Sequence, residues 1–295
     1  MGLISLTDLR HIASNLQVYT NEVDLRDLVC VRSIKTGIPI VYSGSRSIVL
    51  KAYNQKTKQY VALKLFHQEY AELKQRLRKI ERFTQLYKSE YIIPIYWYPS
   101  SITYHNNKVP ACISQWIGDI NVHQYISLRD RKSVDLLSLA EQVANLSKEL
   151  NNLKIAHGDL KFENMIMKDD KFVLIDYEDM FIPDTQFTTA FSTGTASFQH
   201  PSRTKYDFFS HLDNFSLIVI YLTLISLHHH SELVEKFKKQ GRLFSESDFE
   251  NPLSSDMLSF IISKGHLQKQ IEQFITICAN DFYSVPTLAT FIQRT

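Results

Sequence analysis

The chain has 295 residues, of which 44% are hydrophobic and 22% charged, and its formal net charge at pH 7 is only +2. This predicts a globular protein of one large domain or two lobes, with no electrostatic reason to expect nucleic acid as a partner. The three cysteines, Cys30, Cys112 and Cys278, lie far apart, which predicts neither a disulfide framework nor a zinc site. No membrane span or secretory leader is expected, so we predict a cytoplasmic protein, either in its own cell or delivered into a host cytosol.

The front third of the chain is predicted to be rich in strands. "SIVLKAYN" and "YVALKLF", on either side of "QKTK", have the pattern of a hairpin, and "YIIPIYWY" and "ACISQWI" are further strand candidates. "LTDLRHIASNL", near the start, predicts a helix that packs on this part of the chain. Residues 68–88 predict another helix, with the basic run "KQRLRK" on its solvated face. The apolar stripe of that helix consists of Ala71, Leu73, Leu77, Ile80, Phe83 and Leu86.

From about residue 120 the pattern becomes helical. A buried helix face is predicted by the spacing of Leu136, Ala140, Val143, Leu146, Leu150 and Leu153. Further helices are expected around 213–227, 231–240, 255–264 and 267–280. Strands followed by helices predict an α+β fold with two lobes, and ligand sites favour the cleft of such a fold.

One short stretch, "HGDLKFENMIM" at residues 157–167, concentrates groups that suit phosphate and metal chemistry. "MIM", "KDDK" and "FVLI" after it predict a hairpin, which would return Asp176 to the side of Asn164. Carboxylate and amide oxygens are suitable ligands for Mg²⁺, which usually keeps water and substrate phosphate in its shell. Asp159 is free to orient a hydroxyl or accept its proton, and Lys161 can meet a phosphate oxygen.

This stretch resembles the catalytic loop of the eukaryotic-type protein kinases, which reads H-R-D-L-K-x-x-N and is followed after a hairpin by D-F-G. Here the loop reads His157 to Asn164, and the second motif reads "DYE" from Asp176. The resemblance implies a bilobal kinase-like fold with an extension at 1–35, a strand-rich N-lobe at 36–117 and a helical C-lobe at 118–295. It implies ATP and Mg²⁺ as cofactors, Asn164 and Asp176 as metal ligands, and a protein substrate with a Ser or Thr hydroxyl; the oligomeric state stays open.

Carried over to the front lobe, the resemblance makes Lys64 of "VALK" the residue that holds the ATP phosphates, although lysine is also common at strand edges. Its glutamate partner would come from Glu69, Glu72 or Glu81, and the distance to the following strand favours Glu81. The remaining nucleotide contacts implied are Gly44, Val49, Ala62, Gln115 and Ile117. Gly44 is the one glycine that remains of the family's glycine-rich loop. Gln115 and Ile117 belong to the segment that links the lobes, and Ser114 before them would be the gatekeeper.

Two downstream segments extend the resemblance. "GTASFQHPS", residues 194–202, lies over G-T-x-x-Y/F-x-A-P-E, and it implies that Thr195 bonds to Asp159 and Lys161. "DNFSLIVIYLTL" implies that Asp213 holds the backbone of the catalytic loop. Asp213 is also a good helix N-cap, and the sequence alone leaves both roles open.

Three residues depart from the family pattern. Gly158 replaces the arginine that pairs with an activating phosphate, so we predict activity that does not depend on phosphorylation of residues 179–193. Ser202 replaces the glutamate of A-P-E, and its usual arginine partner is also missing, since that place reads Val285-Pro286-Thr287. Loss of both halves of a buried ion pair can be neutral, whereas loss of one half costs about 3–5 kcal/mol. Glu178 replaces the glycine of D-F-G.

These departures leave alternatives open beside a Ser/Thr protein kinase. "HGDL" and "LIDYED" also resemble small-molecule kinases of the choline and aminoglycoside kinase group. The single glycine of the loop, Gly158 and Glu178 would also fit a nucleotide-binding pseudokinase scaffold.

Overall fold

The computed structural model of the chain describes residues 4–44, 46–67, 71–128 and 134–294. The protein divides into two compact units, Met1–Ile117 and Gly118–Thr295. Strands predominate in the first unit and helices in the second, so the α+β class expected from the sequence is confirmed. The assignment of these units to the lobes of a kinase stays a prediction.

A six-stranded antiparallel sheet forms the frame of the first unit. Its strands are β1 (Leu28–Cys30), β2 (Val41–Ser43), β3 (Ser47–Asn54), β4 (Gln59–Phe66), β5 (Ile95–Tyr104) and β6 (Asn107–Gln115). The strand order is β1-β3-β4-β6-β5, with β2 also paired to β3. The predicted hairpin is therefore present as β3 and β4. The strand expected at "YIIPIYWY" begins only at Ile95, because Pro94 has no N–H to donate to a neighbouring strand.

The first residues of the chain complete the core on one face of this sheet. Helices α1 (Leu6–Ser14), α2 (Leu16–Tyr19) and α3 (Val23–Arg26) precede β1. Ser5 and Asp8 form a capping box that begins α1. Leu9 and Ile12 of α1 share a buried cluster with Leu50 and Leu63 of the sheet. The helix predicted near the start is therefore confirmed, and it packs on the sheet.

Helix α4 (Ala71–Leu86) packs beside β5 through its apolar stripe, in which Leu73, Leu77 and Ile80 are buried. Two parts of the sequence prediction for this helix are wrong. Leu86, in its last position, is exposed because the helix ends there. Arg76, expected on the solvated face, is buried and bonds to Glu72 at 2.6 Å. Arg76 is thus buried while its carboxylate partner, one helical turn away, stays 44% exposed.

Helices fill most of the second unit. They are α5 (Val122–Leu128), α6 (Leu136–Leu153), α7 (Asn214–His229), α8 (Val234–Gln240), α9 (Glu246–Glu250), α10 (Asp256–Ser263), α11 (Gln268–Ala279) and α12 (Leu288–Arg294). The hairpin of β7 (Met165–Lys168) and β8 (Lys171–Leu174) lies between α6 and α7 in the chain. The apolar stripe of α6 packs against α7, which is buried over most of its length.

Within the described residues, no single helix has both the length and the apolar content needed to cross a membrane. Helix α7 and the segment Ser231–Gln240 pass that test only as a pair, and they are bent by 117° relative to each other.

Candidate active site

The charged loop between α6 and β7 is held in place by the residue that precedes α7. Asp213, which is fully buried, accepts hydrogen bonds from the backbone N–H groups of His157 and Gly158, the latter at 3.0 Å. Among the described residues, Asp213 makes no capping bond to its own helix. Of the two roles that the sequence left open for Asp213, the structure therefore favours the loop contact.

His157 ties the loop to the end of the small hairpin. Its Nε2 donates to the carbonyl of Ile175 at 2.8 Å, and its Nδ1 accepts from the N–H of Asp159 at 3.3 Å. These partners define the neutral tautomer with the proton on Nε2. His157 is buried, and its role here is to fix the loop.

Asp159, Lys161 and Thr195 form one hydrogen-bonded group. Lys161 Nζ donates to Asp159 Oδ2 at 2.8 Å and to Thr195 Oγ1 at 2.9 Å. The N–H of Thr195 donates to Asp159 Oδ1 at 2.7 Å. Both carboxylate oxygens of Asp159 therefore have a partner, and the side chain still keeps 15% of its surface exposed.

These contacts set the protonation state of Asp159. Burial acts to raise the pKa of this carboxyl, but the charge and hydrogen bond of Lys161 and the hydrogen bond from Thr195 outweigh it. The pKa of Asp159 consequently lies below its ordinary value of 3.8. The group is an anion at neutral pH and can accept a hydrogen bond from a hydroxyl.

The hairpin brings Asn164 and Asp176 together, as expected. Met165 pairs with Leu174, and the N–H of Ile175 donates to the carbonyl of Asn164 at 3.0 Å. Asp176 follows at once and is exposed, with a positive φ of 75° that is uncommon for a residue with a side chain. Asn164 is buried, and its Nδ2 donates to the carbonyl of Asp159 at 2.8 Å.

Asp179 joins the two ends of the segment that follows the hairpin. Its carboxylate accepts from the N–H and the hydroxyl of Ser192, each at 2.6 Å. Gly158 lies directly against this residue, because a Cβ at position 158 would come within 2.3 Å of the carbonyl oxygen of Asp179. Asp179 therefore fixes both ends of the segment 179–193, a role that sequence reasoning missed.

Sequence reasoning also missed Arg203, which is buried beneath the loop. Its Nη1 donates to the carbonyl of Gly158 at 3.0 Å and to Gln199 Oε1. The signal available was an arginine directly after the segment that resembles A-P-E, but nothing in the sequence indicates where it points.

The segment around Ser202 has a neutral anchor. His200 Nε2 donates to the carbonyl of Ile277 in α11 at 3.2 Å, and His200 Nδ1 lies 2.9 Å from the Ser202 hydroxyl. Burial lowers the pKa of His200, which is therefore neutral at physiological pH. On the other side of the missing ion pair, the carbonyl of Val285 accepts from Asn214 Nδ2 at 3.2 Å.

In the first unit, three of the predicted nucleotide residues share one face of the sheet. Lys64 is directly opposite Val49 on β3 and Cys112 on β6, and Ala62 is opposite Ser114, the predicted gatekeeper. This face lies opposite the one that α1 covers, since the buried residues Ile48, Leu50, Leu63 and Leu65 alternate with them.

The other predicted residues of this unit lie nearby in the chain but with different surroundings. Gly44 has ordinary space around it, since an added Cβ would meet its nearest atom at 3.6 Å. Gln115 ends β6, and Ile117 is the last residue of the unit. Glu81 accepts from the N–H of Trp97 at 2.9 Å, which fixes α4 to β5. Its pairing with Lys64 stays a prediction, and Glu69, a weaker candidate, lies outside the described residues.

A scan of the chain against models of known protein families found no match, and a search of curated proteins found no relative either. The chemical interpretation therefore depends on the geometry. The second unit presents an ionised aspartate and a lysine that bridges it to a threonine. It also presents the amide of Asn164 before the hairpin and the carboxylate of Asp176 after it. Such a set can orient a hydroxyl, stabilise negative charge and provide oxygens to a hard cation.

Proposed function

We propose that the protein is an ATP- and Mg²⁺-dependent phosphotransferase that transfers the γ-phosphate to a Ser or Thr hydroxyl of a protein substrate. The observation that carries this proposal is the bridge of Lys161 Nζ to both Asp159 Oδ2 and Thr195 Oγ1. It unites residues 34 positions apart in the chain. Lys161 and Thr195 each precede a short 3-10 helix, but neither side chain makes a capping hydrogen bond to it, so a purely structural explanation is weak.

Each residue has a defined task under this proposal. Asp159 orients the hydroxyl and accepts its proton, for which its lowered pKa keeps it ionised. Lys161 neutralises negative charge on the transferred group beside Asp159. Thr195 holds both in place through its hydroxyl and its N–H. Phosphoryl transfer depends mostly on such positioning and charge stabilisation.

The metal-ligand set fits Mg²⁺ better than a metal that needs a full protein cage. Among the described residues, no three His, Cys, Asp or Glu side chains converge on a possible metal position. Mg²⁺ usually takes one or two carboxylates and completes its shell with water and phosphate. The Asn164 Nδ2 is committed to the Asp159 carbonyl, which leaves Oδ1 as its ligand atom, and Asp176 is exposed. When bound, the cation would neutralise charge on the nucleotide phosphates.

Lys64 of the first unit is proposed to bind nucleotide phosphate. Val49 and Ala62 beside it offer small apolar surfaces to the base. This assignment depends on the resemblance of "VALK" and on the shared sheet face.

The contact of Thr195 favours a protein hydroxyl over a small molecule as acceptor. Residues 194–202, which resemble the part of protein kinases that receives the substrate, are linked to the catalytic loop by this threonine and by Arg203. A small-molecule kinase remains the second candidate, supported by the acidic Glu178 after Asp176.

The decisive experiment is transfer of labelled γ-phosphate from ATP, with Mg²⁺, to the protein itself and to generic protein substrates. Wild type should transfer label, and Asp159→Asn should not. Asp169→Asn is the matched control, because Asp169 is exposed in the hairpin turn at φ 49°, a conformation that Asn tolerates. Equal transfer by wild type and Asp159→Asn would refute the proposal, and transfer only to metabolites would select the small-molecule kinase.

A thermal-shift measurement with ATP and Mg²⁺ distinguishes an enzyme from a scaffold. A thermal shift with millimolar ATP but no transfer of label would identify a nucleotide-binding pseudokinase. No shift and no transfer would reject nucleotide chemistry altogether.

A further inference from the structure

A buried arginine outside the charged loop of the second unit, Arg203, places a positive charge next to that loop. Arg203 is 8% exposed, and burial lowers the pKa of its guanidinium. An arginine nevertheless stays charged in proteins. The charges that oppose the effect of burial come from the carboxylates of Asp213, Asp179, Asp159 and Asp207.

Arg203 is coupled to the loop through its backbone. Its Nη1 donates to the Gly158 carbonyl at 3.0 Å, while the Gly158 N–H donates to Asp213 at 3.0 Å. The peptide groups on both sides of Gly158 are thus fixed by the side chains of Asp213 and Arg203. Asp159 follows directly, so any rotation of this backbone would move its carboxylate.

Position 158 itself has no room for a side chain. Gly158 has a φ of 89°, and an added Cβ would lie 2.3 Å from the Asp179 oxygen and 2.9 Å from the Asp179 carbonyl carbon. The arginine expected there from the resemblance therefore cannot be accommodated without moving the backbone. The positive charge next to the loop comes instead from residue 203.

One of these carboxylates, that of Asp179, belongs to the segment 179–193. Asp179 is buried, and both of its oxygens are held by Ser192. Its charge acts on Arg203, although the two make no direct hydrogen bond among the contacts of the described residues.

We infer that Arg203 is the positioning residue of the catalytic loop, and that its hydrogen bonds to the Gly158 carbonyl and to Gln199 keep the loop ordered without phosphorylation. This inference rests on the proposed phosphotransfer for its kinetic consequence, but its structural part concerns the loop alone. Arg203 does not touch the reacting atoms; it acts through Gly158 on the direction of Asp159.

The test combines steady-state kinetics with amide hydrogen exchange on the full chain. Arg203→Met keeps the volume and removes the charge, and it should lower kcat by about 100-fold, the effect of a small misplacement, with little change in KM for ATP. Exchange at the N–H groups of residues 157–159 should increase, while exchange in α6 should stay as in wild type. Arg242→Met, at an exposed arginine of the same unit, should change neither quantity. Phosphatase treatment of the wild type should leave kcat unchanged.

A second variant keeps the test decisive if Arg203→Met does not fold. Arg203→Lys keeps the charge on a shorter stem with a single donor group, and it should lower kcat by about 10-fold and raise loop exchange less than Met does. If Arg203→Met does not fold, wild-type kcat and loop exchange in Arg203→Lys overturn the inference. If Arg203→Met folds and keeps wild-type kcat, or if phosphatase abolishes activity, the inference is also overturned.

Failure of the proposed function would look different. An inactive wild-type protein would reject the phosphotransferase, but increased exchange at residues 157–159 in Arg203→Met would still support the positioning of the loop. Unchanged exchange in an inactive protein would reject both.

Discussion

Substitution of Gly158 by alanine tests the packing of the loop most directly. A residue with a side chain at a φ of 89° is strained by about 1–3 kcal/mol. The new Cβ would also approach the Asp179 carbonyl oxygen to 2.3 Å, so the two backbones must separate. Such overpacking costs about 1–3 kcal/mol, and we therefore expect Gly158→Ala to lower the free energy of unfolding by roughly 2–6 kcal/mol.

Gly265→Ala is the matched control. Gly265 belongs to the same unit and has a similar φ of 82°, but nothing lies within 4 Å of its added Cβ. It should lose only the conformational part, about 1–3 kcal/mol. Urea unfolding followed by far-ultraviolet circular dichroism measures both variants. If Gly158→Ala is no less stable than Gly265→Ala, the close contact with Asp179 does not exist in solution.

Three further predictions concern the groups around the loop. Asp213→Ala leaves the N–H groups of His157 and Gly158 buried without an acceptor, and thermal unfolding should show a loss of about 2–5 kcal/mol; a loss under about 1 kcal/mol would contradict the contact. Because the pKa of Asp159 is lowered in the folded protein, its ionised form contributes to stability above pH 3.8, and this contribution is lost as the pH falls further. A carbon-13 NMR titration measures this pKa. A value above 3.8 would be inconsistent with the lysine and threonine partners of Asp159. Because burial lowers the pKa of His200 below 6.5, the contribution of His200 is present above that pH and is lost as the pH falls. The difference in melting temperature between wild type and His200→Phe should therefore narrow on acidification from about pH 7.5 to about pH 5, and a constant difference would contradict a neutral, hydrogen-bonded imidazole.

The parts of the site that could be predicted from the sequence are those encoded locally. Asn164 and Asp176 are separated by two short apolar runs and a polar turn, and a hairpin of that length must bring its ends together. The contacts of Asp159 with Lys161 and Thr195 followed from the resemblance, which supplies long-range pairings that periodicity does not. Asp213 was ambiguous, because an N-cap and a loop anchor both favour a short carboxylate at the start of a helix.

The parts that the sequence could not predict depend on contacts between distant positions. Arg203 and Gly158 are 45 residues apart, and no local pattern indicates that an arginine at one position contacts a carbonyl at the other. The burial of Arg76 was missed for a related reason, since charged residues on a helix are solvated unless a partner compensates them. His200 forms a neutral hydrogen bond where the resemblance implies an ion pair, and the composition of the sequence does not indicate which of the two joins the segment to the helix.

The distribution of charge in the second unit supports the proposed enzyme over a scaffold. Where the resemblance leads us to expect the ion pair of Ser202 and Val285, both charges are absent and a neutral imidazole holds the segment to α11. Around the loop, in contrast, Asp159, Lys161 and Arg203 are buried or half-buried charges. Buried ionic groups are often no more stabilising than apolar residues of the same volume, so folding alone gives no reason to keep them. Charges are thus absent where they would only join helices and present where they direct one carboxylate, and this distribution supports the proposal that the carboxylate acts on a substrate.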